Sequence, residues 1–136
     1  MTQKKTILCV DDDQSLSIHR LMLETRGYRV LTANNEGVAI EVLRAGGVDL
    51  VLSSVELPDA PGSKLAHAAK AIAPELPVIL LSTNLRAFQT DAPVDLFLRK
   101  GSYLPAELLE RIRLLLIKRR GPRRAVISPD RRIAAC

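Results

Sequence analysis

Residues 6–13 of the chain read TILCVDDD, a continuous apolar run that ends in three aspartates. The apolar part is rich in β-forming residues, and an unbroken run of this kind predicts a strand buried on both faces. The periodic apolar pattern that follows predicts a helix, capped at its start by Asp13 or Ser15 and ended by Gly27. A buried strand that leads through acidic residues into a helix is typical of the first unit of an α/β domain.

The rest of the chain repeats this alternation of strand and helix. Because most of the strand runs are almost continuously apolar, we expect a five-stranded, doubly wound parallel sheet covered on both faces. Residues 84–93 are polar and predict at most one weak helical turn. The other predicted elements are strands over 28–33, 48–54, 77–83 and 94–100, a helix that Asn34 or Asn35 caps and Gly46-Gly47 ends, a helix over 63–73 and a helix from Pro105.

The composition narrows the class of protein. A chain of 136 residues suffices for one domain, and 47% hydrophobic with only 3% aromatic residues predicts an aliphatic core. The two cysteines, Cys9 and Cys136, form no CxxC or Cys/His cluster, so we predict no structural zinc site and expect Cys9 to be a buried thiol. With no secretory signal and no membrane-spanning run, we expect a cytoplasmic protein without membrane insertion.

The positive charge lies at one end of the chain. Residues 1–117 carry 13 Lys/Arg against 14 Asp/Glu, a net charge of −1, whereas residues 118–136 carry 7 against 1, a net charge of +6. We therefore predict a domain over 1–118 and an extended basic tail over 119–136. The tail either contacts nucleic acid, acidic lipid or an acidic partner through charge alone, or is solvated. The tail has no aromatic residues for base stacking, so we do not predict nucleic-acid binding except through the charge of the tail.

Chemically useful side chains end four of the predicted strands. The carboxyl ends of parallel strands meet at one edge of the sheet, where ligands bind in folds of this class. Paired carboxylates there suit Mg²⁺ or Ca²⁺, a lysine suits an anion, and a hydroxyl can donate to a phosphoryl oxygen. The side chains are Asp11 and Asp12 after the first strand, Ser54 at the end of the third, Ser82 at the end of the fourth and Lys100 at the end of the fifth.

Four motifs in this order give the chain a family resemblance: ILCVDDD, VDLVLSSVELPDAPG, PVILLST and FLRKGS. Over about residues 5–118 it resembles the CheY-like receiver domain of bacterial two-component signalling, which has a flavodoxin-like fold. In that family a sensor kinase's phosphohistidine donates its phosphoryl group to an aspartate at the end of the third strand. The acidic pair holds Mg²⁺, a Ser/Thr and a Lys bind the phosphoryl oxygens, and an aromatic residue on the fifth strand reports the change.

The resemblance assigns a role to each residue that matches the family motifs. It implies that Asp11 and Asp12 are the acidic pair, Ser82 the hydroxyl switch residue, Lys100 the phosphoryl-binding lysine and Phe97 either the aromatic switch or a plain core residue. The position of the phosphoacceptor is occupied by Ser54. The interval from Ser82 to Lys100 is shorter than is usual in the family, which implies a short or missing helix between the fourth and fifth strands.

Ser54 changes the expected chemistry in two ways. A serine hydroxyl has a far higher pKa than a carboxyl group and needs a general base before it attacks phosphorus. The substitution also removes one carboxylate from the metal site, which predicts weakened Mg²⁺ binding and no other cofactor. Glu56, two residues further on, would share the face of Ser54 on an extended backbone. It either adds negative charge to the metal site or is simply solvated.

Three functions remain open. The leading hypothesis is a non-enzymatic, cytoplasmic pseudo-receiver that binds a protein partner, either a sensor kinase or a downstream signalling protein, without a phosphorylation cycle. The alternative is a working response regulator that accepts phosphate at an unusual site. The third is a small α/β nucleotide-binding enzyme, which needs a glycine-rich phosphate loop where this chain has three aspartates. Whether the protein forms a homodimer is left open.

Overall fold

A computed structural model describes residues 4–84 and 92–120 of the chain. The described part alternates strands with helices. The elements are β1 (Thr6–Val10), α1 (Asp13–Glu24), β2 (Arg29–Ala33), α2 (Glu36–Ala45), β3 (Leu50–Ser54), α3 (Gly62–Ile72), β4 (Val78–Ser82), β5 (Leu96–Arg99) and α4 (Pro105–Arg120).

The five strands form one parallel sheet in the order β2-β1-β3-β4-β5. The chain moves outward from β1 to β2, then returns past β1 and continues in the other direction through β3, β4 and β5. The order therefore reverses between β1 and β3, and the crevice at their carboxyl ends is where such folds bind ligands. The predicted doubly wound α/β fold is confirmed.

The two faces of the sheet carry separate aliphatic cores. Every residue of β1, β3 and β4 is buried, as expected for strands covered on both sides. Alternate residues point to opposite faces, so Ile7 and Cys9 pack with α1 and α4, whereas Leu8 and Val10 pack with α2 and α3. Burial raises the pKa of the Cys9 thiol to about 12, which makes this cysteine a packing residue and not a nucleophile at neutral pH.

The helix ends show where local sequence signals compete. Asn35 caps α2 by accepting a hydrogen bond from the Val38 N–H, as one of the two predicted alternatives. The cap of α1 is Asp12, so the prediction of Asp13 or Ser15 was wrong: Asp12 Oδ1 accepts from the Ser15 N–H at 2.9 Å. The predicted end of α1 was also late. The helix ends at Glu24, and Gly27 adopts its positive φ of 87° in the turn beyond it.

Two matching aspartates finish the hydrogen bonding at the amino edge of the sheet. The sequence Val-Asp-Leu occurs at the start of both β3 and β5, and the aspartates are Asp49 and Asp95. Asp49 Oδ2 accepts from the Thr6 N–H at 2.8 Å, and Asp95 Oδ2 accepts from the Val78 N–H at 2.8 Å. Asp95 also pairs with Lys70 Nζ at 2.9 Å. Each carboxylate thus satisfies a backbone donor where the neighbouring strand begins.

Two predictions fall on residues outside the described part of the chain. The short or missing helix was predicted for 84–93, and residues 85–91 are not described. Most of the predicted basic tail is likewise outside, although α4 continues to Arg120 and so crosses the predicted domain boundary by two residues. None of the helices in the described ranges is both long enough and apolar enough to cross a membrane.

Candidate functional site

Three of the side chains singled out in the sequence meet at the carboxyl ends of β1, β3 and β5. Lys100 Nζ lies 3.1 Å from Asp11 Oδ2 and donates hydrogen bonds to Asp11 Oδ1 at 3.3 Å and to Ser54 Oγ at 3.2 Å. The backbone of Lys100 is also held in place, because its main-chain N–H donates to the main-chain carbonyl of Ser82 at 2.9 Å. The Lys100 ammonium therefore bridges Asp11 at the end of β1 and Ser54 at the end of β3.

The Asp11 carboxylate is buried, and only one of its oxygens accepts hydrogen bonds. Oδ1 accepts from the Asp12 N–H at 2.8 Å as well as from Lys100. Oδ2 has Lys100 at an ion-pair distance, but the angles do not make a hydrogen bond, and within the described residues it accepts none. The Asp11 side chain is 4% exposed and the Lys100 side chain 24% exposed. The site thus keeps a buried, negatively charged oxygen with unused acceptor capacity.

Asp12 lies beside Asp11 in the sequence but has different surroundings. It is exposed, and its carboxylate caps α1 through the Ser15 N–H. This hydrogen bond is the main reason why the pKa of Asp12 is lowered, because it stabilises the charged form. The acidic pair therefore consists of one buried carboxylate paired with a lysine and one exposed carboxylate at a helix N-terminus.

Ser54 Oγ is buried, and its neighbours do not activate it. Its hydrogen-bond partners are Lys100 Nζ and the main chain of Glu56, whose N–H donates at 3.3 Å and whose carbonyl accepts at 3.5 Å. A lysine ammonium donates to the oxygen lone pair that would have to attack, and a backbone carbonyl is far too weak a base to take the hydroxyl proton. Among the described residues, the Ser54 hydroxyl therefore has no contact with a base that could take its proton.

Ser82 has a partner that the sequence did not indicate. Its hydroxyl is fully buried at the end of β4 and donates to Glu56 Oε2 at 2.6 Å. Ser82 Oγ in turn accepts from the Asn84 N–H at 2.9 Å. Neither reading of Glu56, as metal ligand or as solvated residue, included this contact. An extended backbone would place Glu56 beside Ser54, whereas its carboxylate reaches across to the neighbouring strand.

The loop after β3 approaches the Ser54 backbone closely at Gly62. The Gly62 N–H donates to the Val55 carbonyl at 2.7 Å. A Cβ atom at residue 62 would overlap the Ser54 carbonyl oxygen and lie 2.8 Å from Val55 Cα. Residue 62 has to be glycine for this loop to close against the strand.

Asp59 fixes the other side of the same loop. Its carboxylate accepts from the backbone N–H groups of Glu36 at 2.8 Å and Gly37 at 3.1 Å, at the N-terminus of α2. These N–H groups, Glu36 first, lower the pKa of Asp59. The predictions did not include this role, and the acidic residue beside two prolines was its only local signal. The loop 55–61 is thus attached both to β3 and to α2.

Two further residues complete the surroundings. Phe97 on β5 is half-buried and packs into the core beneath α2 and α3, in register with Leu80. His19, for which no link to the acids was expected, is half-buried on α1. Burial is the main cause that lowers its pKa, and the charges of Asp11 and Asp12 partly oppose the shift. The helical spacing of His19 from Leu16 and Leu23 was the signal that places it on the buried face.

The donor set fits a divalent cation only in part. A groove of about 290 Å³ is lined by Asp12, Asp13, Asn34, Glu56 and Pro58, and Asp11 is not among its lining residues. Across the described ranges, however, no three His, Cys, Asp or Glu side chains are grouped so as to hold a metal ion. Ser54 contributes a neutral hydroxyl, and Lys100 already neutralises Asp11.

Comparisons with known proteins identify the family. The model of the response regulator receiver domain matches residues 7–113. The two-component response regulator ARR10 of Arabidopsis thaliana is 41% identical over 81 residues, which are 57% of this chain and 14% of that protein. The chain thus spans only a small part of this curated relative.

Solved structures agree with the sequence match. The CheY-like receiver domain protein of Methanospirillum hungatei superposes with a TM-score of 0.78 at 28% identity, covering 87% of this chain and 98% of that one. TrrA of Thermotoga maritima, a response regulator solved in complex with Mg²⁺-BeF, superposes with a TM-score of 0.75 at 27% identity. The match covers 82% of this chain and 98% of that one. The chain belongs to the response regulator receiver domain family of two-component signalling.

Proposed function

We propose that this receiver domain is a protein-interaction module that works without phosphorylation of residue 54. Receiver domains are in general signalling modules and not enzymes. The partner we propose is a protein of a two-component pathway, either a sensor kinase or a downstream signalling protein. The domain keeps the receiver scaffold, including the loop that Gly62 and Asp59 hold, and lacks the carboxylate that receives the phosphoryl group.

The observation that carries the proposal is the contact between Ser54 and Lys100. The ammonium group lies 3.2 Å from Ser54 Oγ and 3.1 Å from Asp11 Oδ2, so the charges at the centre of the site already pair with each other. A carboxylate attacks phosphorus as an anion, whereas Ser54 would have to lose a proton beside a cation, and among the described residues no base contacts it. The geometry favours a closed ion pair over a reactive nucleophile.

The same arrangement supports weakened Mg²⁺ binding. Asp11, Asp12 and the Glu56 main chain supply oxygen atoms at this edge, but only two of these groups are charged, and Asp11 is paired with Lys100. Because affinity for hard divalent cations rises with the number of charged oxygen ligands, we expect the Ser54→Asp variant to bind Mg²⁺ more tightly than the natural chain. These residues would hold the ion, and it would neutralise the charge of an incoming phosphoryl group.

Phosphorylation assays on the full chain test the proposal. The natural protein, Ser54→Asp and Ser54→Ala are each incubated with Mg²⁺ and radiolabelled acetyl phosphate. We expect no label above background on the natural protein or on Ser54→Ala, and an alkali-labile label on Ser54→Asp. A label on the natural protein that is stable to acid and absent from Ser54→Ala would show that Ser54 accepts phosphate and would overturn the proposal.

A second candidate function has one observation in its favour. Asp11 Oδ2 is buried and accepts no hydrogen bond within the described residues, so a Mg²⁺ ion could take the place that the Lys100 ammonium holds 3.1 Å away. A phosphoaccepting response regulator with an unusual acceptor would use this oxygen for Mg²⁺. The same assay decides between the two functions, because only this second one predicts label on the natural protein.

A further inference from the structure

We propose that Glu56 is the positioning residue for Ser82, supplying from within the chain the negative charge to which the Ser82 hydroxyl donates. This inference rests on the proposed function and deepens it. In place of a transient phosphoryl group, a permanent carboxylate sets the orientation of the hydroxyl at the end of β4. The hydrogen bond from the Asn84 N–H to Ser82 Oγ is then kept whether or not residue 54 is modified.

The first step is the hydrogen bond itself. Ser82 Oγ donates to Glu56 Oε2 at 2.6 Å, within the range of a charge-assisted O–H···O⁻ contact. The hydroxyl has a single hydrogen. While Glu56 accepts it, Ser82 cannot donate to a phosphoryl oxygen at residue 54. Its other acceptor within reach is the Asn84 carbonyl at 3.2 Å, which is longer and neutral.

The second step is that the backbone that carries the exposed Glu56 side chain is held in place. Glu56 forms an antiparallel bridge with Pro61 across the loop, and its N–H donates to Ser54 Oγ. The loop is attached to α2 through Asp59 and closes against β3 at Gly62. A side chain on a loop attached at both ends loses less conformational entropy when it contacts Ser82.

The third step connects Ser82 to the chain that follows. The Asn84 N–H donates to Ser82 Oγ at 2.9 Å, and the Lys100 N–H donates to the Ser82 carbonyl at 2.9 Å. A hydroxyl whose proton is committed to Glu56 presents its lone pairs to Asn84. The orientation set by Glu56 thereby fixes the Asn84 N–H, while the Lys100 N–H binds the backbone carbonyl of the same serine.

Amide NMR spectra of the full chain provide the first test. Glu56→Ala should move the Asn84 amide resonance several-fold more than Glu41→Ala, which removes an exposed glutamate from α2. Glu56→Gln should restore most of the natural position, because its amide oxygen still accepts from Ser82. In a Ser82→Ala background, Glu56→Ala should leave Asn84 in place. The proposal is overturned if the Asn84 resonance does not move in Glu56→Ala. It is also overturned if Glu56→Ala moves that resonance equally in the Ser82→Ala background.

Beryllofluoride binding with Mg²⁺ provides the second test, in variants that carry Ser54→Asp. Adding Glu56→Ala should tighten binding about tenfold, because the Ser82 hydroxyl becomes free to donate to the bound anion. Adding Glu41→Ala should change nothing. If Glu56→Ala acted only by removing negative charge, the gain would persist when Ser82→Ala is also present, and that result would overturn the proposal.

The two proposals fail separately. A phosphate label on Ser54 of the natural chain would overturn the proposal of a phosphorylation-independent function. It would leave the proposed role of Glu56 untouched if the Asn84 resonance still responds to Glu56→Ala. If the natural chain takes no label and the Asn84 resonance does not respond to Glu56→Ala, only the proposed role of Glu56 is overturned.

Discussion

The two edges of the sheet use aspartate in opposite ways. At the amino edge, Asp49 and Asp95 each accept a backbone N–H of the neighbouring strand and so complete the hydrogen bonding of the sheet. At the carboxyl edge, Asp11 is buried with an oxygen that accepts no hydrogen bond within the described residues, and Asp12 caps a helix at the surface. The comparison teaches that the amino edge uses aspartate to complete backbone hydrogen bonds, whereas the carboxyl edge buries a carboxylate whose charge is balanced by Lys100.

Removing the Lys100 ammonium group from the carboxyl edge should have the largest effect on the free energy of unfolding. Lys100→Met leaves the Asp11 carboxylate buried with no charged partner. Losing one partner of a buried pair costs about 3–5 kcal/mol, and we expect about 2–4 kcal/mol here because Lys100 is partly exposed. Urea unfolding at neutral pH measures the change in the free energy of unfolding.

The matched control for this prediction removes both charges. Lys100→Met combined with Asp11→Asn should regain most of the lost stability, because no buried charge is then left alone. If the single variant were as stable as the natural chain, the ion pair would make no net contribution and the carboxyl edge would be no more sensitive than any surface.

Breaking the amino edge should have the next largest effect. Asp95→Ala leaves the buried Val78 N–H without its acceptor, at a cost of about 1–3 kcal/mol. Asp95→Asn keeps an acceptor oxygen in place and should cost less. Both are measured by urea unfolding beside Asp11→Asn, for which we expect a smaller loss than for Asp95→Ala. A larger loss from Asp11→Asn would reverse the contrast between the two edges.

Acid should weaken the helix N-termini that surround the carboxyl edge. The pKa values of Asp12 and Asp59 are lowered in the folded protein, chiefly by backbone N–H groups of Ser15 and Glu36. A lowered pKa means that the unfolded chain binds the proton more tightly. The stabilisation is therefore complete above the ordinary carboxyl pKa of about 3.9 and is lost as the pH falls through the folded values.

The measurement is the urea midpoint as a function of pH, from neutral down to about pH 2.5. Asp59→Asn keeps an acceptor for the α2 N-terminus but does not titrate, so its midpoint should fall less steeply than that of the natural chain. Identical slopes for the two proteins would show that Asp59 does not contribute to the acid sensitivity.

The smallest expected effect is on His19, which reports the charge of the carboxyl edge. Burial lowers its pKa, so an NMR titration should give a midpoint below the usual value of about 6.5. Asp11→Asn should lower the midpoint further, since the Asp11 charge opposes the shift. A midpoint that rises in this variant would show that Asp11 does not act on His19.

The sheet was predictable because its signals are local. The buried strand runs, the cap at Asn35 and the start of α4 at Pro105 each follow from a few neighbouring residues. The α1 cap was misassigned because Asp12, Asp13 and Ser15 are all good capping residues, and the choice between them depends on where β1 ends.

The candidate site was predictable only as a set of strand ends. Parallel pairing brings Asp11, Ser54 and Lys100 together whatever the loops do. The contact between Glu56 and Ser82 spans 26 residues and depends on the shape of the loop, which Asp59 sets through α2. No local sequence pattern contains that information, so Glu56 could not be predicted as the partner of Ser82.

The close approach of Gly62 has a consequence for how such a domain changes during evolution. The requirement for glycine is geometric, since any side chain would displace the Ser54 carbonyl. It would act with equal force on a lineage that had abandoned phosphate transfer, because the loop must still close for the chain to fold. The glycine at position 62 is therefore a marker of the folded shape, and its presence carries no information about whether residue 54 accepts phosphate.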